Sequence, residues 1–344
     1  MKIAVVFGGM SFEHEISIVS AIAMKDVLKE ELVYIFLDEN REFYHIPTKT
    51  ITSKLFSTGE YKKSDILTLK KNGFYKKAMF GEKCVDFDVV LNLTHGGDGE
   101  DGILASLFEF NDIKFIGPRV EACSVSSNKF LTKGYSNSCG IEVIDYQYFN
   151  KNDKVNVKNY PVIIKPTRLG SSIGVSIVKS ESELQYALDV AFEFDTDIII
   201  EPFINGIKEY NLAGCKINDK FEFSIIEEPA KAEFLDFDKK YLDFSRTSKA
   251  QVADISEQLQ EKLKLSFQKI YNTSFEGSLI RCDFFVLDDV VYLNEINPIP
   301  GSMANYLFDD FDKTLNALAK SLPFKNKIKI SYEYVNKIQA SKGK

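Results

Sequence analysis

No apolar run in this chain approaches the roughly 20 residues needed to cross a bilayer, which argues against a membrane role. The opening MKIAVVFGG lacks the basic stretch, apolar core and small-residue cleavage site of a secretory leader, so a cytoplasmic protein is expected. Five cysteines, Cys84, Cys123, Cys139, Cys215 and Cys282, form an odd set with no C-x-x-C spacing. Neither a disulfide framework nor a zinc site is suggested, and reduced, packed thiols are expected. Apart from a Lys-rich C-terminal end there is no concentrated basic block, and 43 Lys+Arg against 50 Asp+Glu leave a net charge of −7. A nucleic-acid partner is therefore not expected. At Gly8-Gly9 the fingerprint G-x-G-x-x-G is not formed and no acid lies at a clear ribose-binding position, which weakens a nicotinamide enzyme, and the absence of G-x-x-x-x-G-K-[ST] sets aside the standard phosphate loop. No internal repeat or low-complexity tract stands out.

What is present has the make-up of a globular α/β protein. The 344 residues, 44 % apolar and 27 % charged, are enough for two or three compact domains. Ile3 to Phe7 reads as a strand running into Gly8 and Gly9, and Ile16, Val19, Ala23 and Val27 then recur at helical spacing, the βα opening of a doubly wound domain. A second apolar strand, Phe87 to Leu93, leads into the glycine-rich run from His95 to Gly102, a helix from Ile103 to Phe110 and a short strand from Ile113 to Ile116. Residues 39 to 84, polar and rich in Lys and Tyr, read as short strands and loops that only decorate this first domain. Gly117 and Pro118 close it. From Val162 onward the pattern is strand, glycine-containing loop, strand, helix from Glu181 to Phe192, and strand from Ile198 to Glu201.

Three constellations carry chemistry. Lys165 ends a strand and is followed by Gly170, Ser171, Ser172 and Gly174, a loop whose backbone N–H groups can approach phosphates closely; a hairpin turn with a solvated lysine stays open as the plainer reading. Arg281 and Asp283 on one strand, with Asn294, Glu295 and Asn297 on the next, offer oxygen ligands suited to Mg²⁺. Alternation puts Glu295 and Asn297 on one face. For Asp283 to face Glu295 and Arg281 to face Asn297, an odd-numbered loop, Asp288-Asp289-Val290, is predicted. An edge hairpin with exposed acids is the alternative, but inward acids interleaved with Phe285, Val291 and Leu293 are costly without a cation. His95 and Glu100 sit on the glycine-rich loop, and Glu13 at the start of the first helix either caps it or grips a substrate ammonium.

The segments VVFGGMSFEHEISIVSA, THGGDGEDG, PVIIKPTRLGSSIGVS, EPFINGIKEYNL, DKKYLDFS and GSLIRCDFFVLDDVVYLNEINPIPGS together resemble the D-alanine:D-alanine ligases of the ATP-grasp superfamily, in the family's order and over nearly the whole chain. The resemblance implies an α/β, three-domain ATP-grasp architecture. Its parts would be an N-terminal doubly wound (pre-ATP-grasp) substrate domain, residues 1–118, a central lid, 119–205, and a C-terminal ATP-grasp subdomain, 206–344. It implies ATP and two divalent ions, Mg²⁺ or Mn²⁺, with Lys129 and Lys165 at phosphates, Glu201 and Ile204 at the adenine edge and Glu209 at the ribose. Asp283, Glu295 and Asn297 match the family's metal ligands, Glu295 bridging both ions. Glu13 would hold the first D-alanine's ammonium, and Arg281 with the Gly301 N–H would stabilise the tetrahedral oxyanion. Ser171 and Tyr241 would join Glu13 in a trio that couples a closing loop to that site, Lys240 would meet phosphate and the second substrate's carboxylate, and His95 belongs to the same catalytic set. The implied reaction activates one D-alanine as an acyl phosphate and then joins it to a second, for peptidoglycan precursor synthesis, in a homodimer.

One departure stands out. The family usually has a serine where this chain has Tyr306, so the second carboxylate is left to the Tyr306 and Leu307 N–H groups with Lys240, or to Ser302, and weak second-site affinity is predicted. By the same resemblance, Tyr241, usually lacking in ligases that make D-alanyl-D-lactate, implies an amine rather than a hydroxy-acid nucleophile. An ATP-grasp ligase for another pair, with D-serine or D-lactate second, is the nearest alternative. A silent nucleotide-binding regulator fits less well, because it has no need of the lysines, acids and oxyanion arginine together.

Overall fold

The computed structural model describes residues 1–229, 250–323 and 328–342. Its first sheet has eight strands in the order β6-β5-β4-β3-β2-β1-β7-β8. Strands β1 (Lys2–Gly8), β2 (Glu31–Leu37), β7 (Val89–Asn92) and β8 (Phe115–Ile116) run parallel, and β3 (Phe43–Ile46), β4 (Asp65–Lys70), β5 (Gly73–Lys77) and β6 (Glu82–Cys84) continue the sheet antiparallel. Ile3 to Phe7 and all of β7 are buried, which is why Ile3 to Phe7 and Val89 to Leu91 read as unbroken apolar runs: both faces of a parallel sheet are covered.

Two readings of this region are corrected. The segment 39–84 does more than decorate the surface. Tyr44, Phe56, Tyr61 and Phe74 are buried, and Phe36 packs its ring 4.7 Å from both Phe56 and Tyr61, so the segment completes the core of the first sheet. The helix His14–Val27 exists as predicted, but Val19 is exposed, and the inward face carries Ile16, Ser17, Ile18, Ser20, Ala21 and Met24. Two buried serines on that face, used for hydrogen bonding, blur the apolar stripe.

A second, four-stranded sheet has the order β11-β10-β12-β9, with β9 at Gln147–Asn150, β10 at Val162–Pro166, β11 at Ser176–Val178 and β12 at Asp197–Pro202. The helix Glu181–Phe194 packs Ala187, Leu188 and Ala191 on it. The third sheet, β14-β13-β15-β16, comprises β13 (Lys208–Ile217), β14 (Lys220–Glu227), β15 (Ile280–Leu287) and β16 (Val290–Asn297), all antiparallel. Ser256 caps the helix Glu257–Ser274 by accepting from the Leu259 N–H at 3.2 Å, and Leu263, Phe267, Ile270 and Tyr271, spaced four, three and one apart, are buried against this sheet. Each such side chain contributes about 1.5 to 3 kcal/mol by burial.

The β15–β16 hairpin keeps the predicted pairing by a different device. Asp283 does face Glu295 and Arg281 does face Asn297, yet the connection is the two-residue turn Asp288-Asp289, with φ of 49° and 60°. Leu287 pairs with Val290 and Phe284 with Leu293, so Asn294 is the extra residue, extruded as a β-bulge that restores the register before Glu295.

Candidate active site

Glu13, immediately before the first helix, makes no capping hydrogen bond with its side chain. It accepts instead from the Ser171 hydroxyl, a residue of the loop after β10, so the capping alternative is not the arrangement seen. Burial pushes its carboxyl upward, with Glu295 adding to this, while Ser171 and Lys129 oppose it. Ser11 fixes the turn before it, accepting from the Glu13 N–H at 2.9 Å and donating to the His95 carbonyl at 2.7 Å.

His95 is buried beneath this turn. Its Nδ1 lies 2.9 Å from the Ile299 carbonyl, which can only accept, so Nδ1 carries the proton. Burial lowers the ring's pKa to about 4, and the neutral imidazole therefore accepts at Nε2 from the Ser20 hydroxyl, 2.9 Å away. Ser20 in turn accepts from the Ser302 N–H at 3.2 Å. His95 thus braces the segment Gly301–Leu307, in which Ser302, Met303 and Ala304 are successively left-handed, with φ of 48°, 55° and 50°. Glu100, beside His95, is held well above the carboxylate range by burial and by Glu13.

The second sheet supplies cations around one acid. Lys165 Nζ lies 2.6 Å from one oxygen of Glu201 and 3.3 Å from the carboxamide oxygen of Asn294, the bulge residue. Lys133 pairs with the other Glu201 oxygen; it is 2 % exposed and Glu201 3 %. Burial by itself would raise the Glu201 carboxyl, but Lys165 and Lys133 together hold it at about 2. Burial lowers both Lys133 and Lys129. Lys129 opens a helix capped by Asn128 and donates to the Leu169 carbonyl; its ammonium feels the charges of Glu295, Glu201 and Glu13, one acid from each sheet region. Lys133 was not among the expected site residues, and Asn294, expected among the oxygen ligands, meets Lys165 instead. The i, i+4 spacing of Lys129 and Lys133 behind a capping Asn was the available signal.

In the third sheet, Arg281 donates to both Asp283 oxygens, Nε at 2.6 Å and Nη2 at 2.8 Å, and the Asn297 carboxamide donates to Asp283 at 3.0 Å. Burial raises the Asp283 carboxyl to about 6 in spite of Arg281, with Glu295 reinforcing it. Ile204 lies in the short connection between β12 and β13, and Glu209, on β13, pairs opposite Phe285. Gly301 directly precedes the left-handed residues Ser302 to Ala304. Lys240 and Tyr241 lie outside the described residues. The arrangement thus brings Glu13, Ser171, Lys129, Lys165, Glu201, Asp283 and Glu295 into one electrostatic neighbourhood, with His95 supporting it from below.

Family models match in two blocks: D-ala D-ala ligase N-terminus over residues 2–118 and D-ala D-ala ligase C-terminus over residues 136–313. The D-alanine--D-alanine ligase of Sulfurovum sp. is 60 % identical over 346 aligned positions, covering 100 % of both chains. The chain belongs to the D-ala D-ala ligase family. Among solved structures, the D-alanine-D-alanine ligase of Helicobacter pylori is 52 % identical with a TM-score of 0.85, over 95 % of this chain and all of that one. The VanG D-Ala:D-Ser ligase of Enterococcus faecalis, at 25 % identity, still reaches a TM-score of 0.73 over 92 % of this chain and 99 % of that one. The three-sheet α/β architecture is therefore the ligases' ATP-grasp fold.

Proposed function

We propose that this ligase joins two D-alanines into D-alanyl-D-alanine at the expense of ATP, for peptidoglycan precursor synthesis. The observation that carries the reading is the convergence of Glu13, the Lys129/Lys165/Glu201 cluster and the Asp283/Glu295 pair at one centre, in a chain that aligns end to end with such ligases. In this reading the carboxylate of the first D-alanine attacks the γ-phosphate and ADP leaves. The amine of the second then attacks the acyl phosphate, expelling phosphate and losing a proton.

Glu13, held by Ser171, grips the first ammonium, and Lys129 and Lys165 contact phosphate oxygens as point charges. Glu201 and the Ile204 backbone take the adenine edge, and Glu209 the ribose. Arg281 and the Gly301 N–H stabilise the oxyanion, where negative charge develops in the transition state. The Tyr306 and Leu307 N–H groups take the second carboxylate.

Asp283, Glu295 and Asn297 would hold Mg²⁺ or Mn²⁺. The donors are all hard oxygens on adjoining strands, the ligand type that suits these ions. When bound, such ions neutralise charge on the transferring phosphoryl group. Domain limits near 118 and 206 and a cytoplasmic homodimer complete the proposal; light scattering on the purified protein tests the dimer.

The deciding experiment measures phosphate release with ATP, Mg²⁺ and D-alanine against an L-alanine control, with mass detection of the dipeptide. D-alanyl-D-alanine formed alongside ADP supports the reading. Turnover only with another amino-acid or hydroxy-acid pair discards the substrate.

A further inference from the structure

Asp98, on the glycine-rich loop, is a buried carboxylate, 2 % exposed, that the reaction as described does not use. Its counter-ion comes from the antiparallel extension. Arg41, in the turn between β2 and β3, donates from Nη2 to Oδ1 at 2.9 Å and from Nε to both oxygens at 3.2 Å. The turn holding Arg41 is itself built: Asp38 accepts from the Asn40 and Glu42 N–H groups, each at 2.9 Å, and Arg41 takes a left-handed φ of 62°. On its inner side Asp98 accepts from the Met10 N–H at 3.1 Å, three residues before Glu13.

The two loops meet at backbone contact. A Cβ on Gly97 would come within 2.4 Å of the Met10 carbonyl oxygen, and one on Gly96 within 2.7 Å of a Glu13 carboxylate oxygen. Small displacements of the Met10 to Glu13 turn therefore move Glu13 itself. Two hydrogen bonds fix the turn to the glycine-rich loop, Met10 to Asp98 and Ser11 to His95, and the first depends on the buried Asp98 side chain staying in place.

We infer that Arg41 is a positioning residue for Glu13, acting through Asp98 and the Met10 N–H, and that it sets the affinity of the first amino-acid subsite. The inference rests on the reading of Glu13 as the ammonium-binding acid. Without Arg41, Asp98 loses the cation that holds it, its grip on the Met10 N–H loosens, and with it the placing of Glu13 against Ser171. The nucleotide cluster around Glu201 shares none of these contacts.

The test compares full-length wild type with Arg41→Gln, Asp98→Asn and the double variant, reading separate KM values for the two D-alanine subsites and for ATP. In Arg41→Gln the first-subsite KM is expected to rise about tenfold, with the second-subsite and ATP values within about twofold of wild type. In the double variant the amide of residue 98 needs no cation and still offers an oxygen to Met10, so the first-subsite KM falls back toward that of Asp98→Asn alone. An unchanged first-subsite KM in Arg41→Gln overturns the inference. So does an equal loss in all three constants with a lowered Tm, or a double variant worse than either parent. A wild type that forms no D-alanyl-D-alanine sinks the underlying reading and this inference with it, whereas an active wild type with an indifferent Arg41 variant sinks the inference alone.

Discussion

On the side of the site built from the first sheet, Glu13, His95 and Ser20 are held directly by hydroxyls, backbone groups and an uncharged imidazole, with the Arg41–Asp98 ion pair one step behind. On the side built from the second and third sheets, charge holds charge: Lys133 and Lys165 flank Glu201, and Arg281 grips Asp283 with two hydrogen bonds. A wall of neutral hydrogen bonds keeps one arrangement whether or not a ligand is present. A wall of ion pairs can exchange partners when phosphate arrives, because each cation released from a carboxylate finds another anion. The proposed chemistry asks for this division, since the amino acid must be aligned while the triphosphate must be received.

The sharpest way to break the comparison is Arg281→Met. If the charged wall carries the chemistry, kcat falls roughly 10²- to 10³-fold, the cost of losing an oxyanion donor, in single-turnover assays on a protein shown by circular dichroism to be folded. Lys133→Met is expected to strip Glu201 of one of its two cations, raising the KM for ATP about tenfold while leaving the D-alanine constants within about twofold, and lowering stability by about 3 to 5 kcal/mol in urea unfolding, as breaking a buried pair does. A similar rise in the D-alanine constants would mean that the two walls are not separable.

The neutral wall should show itself in acid. The His95 pKa lies at about 4 in the folded chain, below its unfolded value of 6.5, so the unfolded state binds the proton more readily between those limits. Stability is therefore fully present above about pH 6.5 and declines as pH falls toward 4, by about 3 kcal/mol for a gap of this size. Unfolding curves across that range, compared with His95→Gln, check it: the variant should lose this part of the pH dependence. The smallest effect is on the hairpin turn, far from both walls. Asp289→Gly places the residue that suits a positive φ where Asp289 now sits at 60°, and a gain of at most about 1 kcal/mol in Tm-derived stability is expected with unchanged kinetics.

How much of this was legible in the sequence depended on whether a residue's pattern or its partner defined its role. The strands Ile3 to Phe7 and Val89 to Leu91 were readable because burial on both faces leaves an unbroken apolar run. The pairing of Asp283 with Glu295 followed from alternation, but the loop did not, since an extruded Asn294 and a longer turn give the same register further along. Ser17 and Ser20 broke the helical stripe because a buried hydroxyl with good partners costs little, and nothing local announces those partners: the Gly8 N–H and Leu93 carbonyl for Ser17, His95 for Ser20. Lys133 was missed although its i, i+4 spacing from Lys129 was visible, because its role rests on Glu201, sixty-eight positions away in the chain. Residues 39–84 looked like decoration because their aromatic residues are spaced by turns, and only the fold brings Phe56 and Tyr61 onto Phe36.

The bulge at Asn294 also bears on how the hairpin tolerates changes of length. Between the Asp288-Asp289 turn and Glu295 the returning strand carries one residue more than pairing requires. An in-frame loss of a single codon in that stretch can be absorbed by flattening the bulge, leaving Asp283 opposite Glu295, whereas the same loss beyond Glu295 shifts Asn297 off its place opposite Arg281. The chain therefore has slack on the turn side of the acid pair and none on the other. What a shortened hairpin would give up is the carboxamide that now meets Lys165.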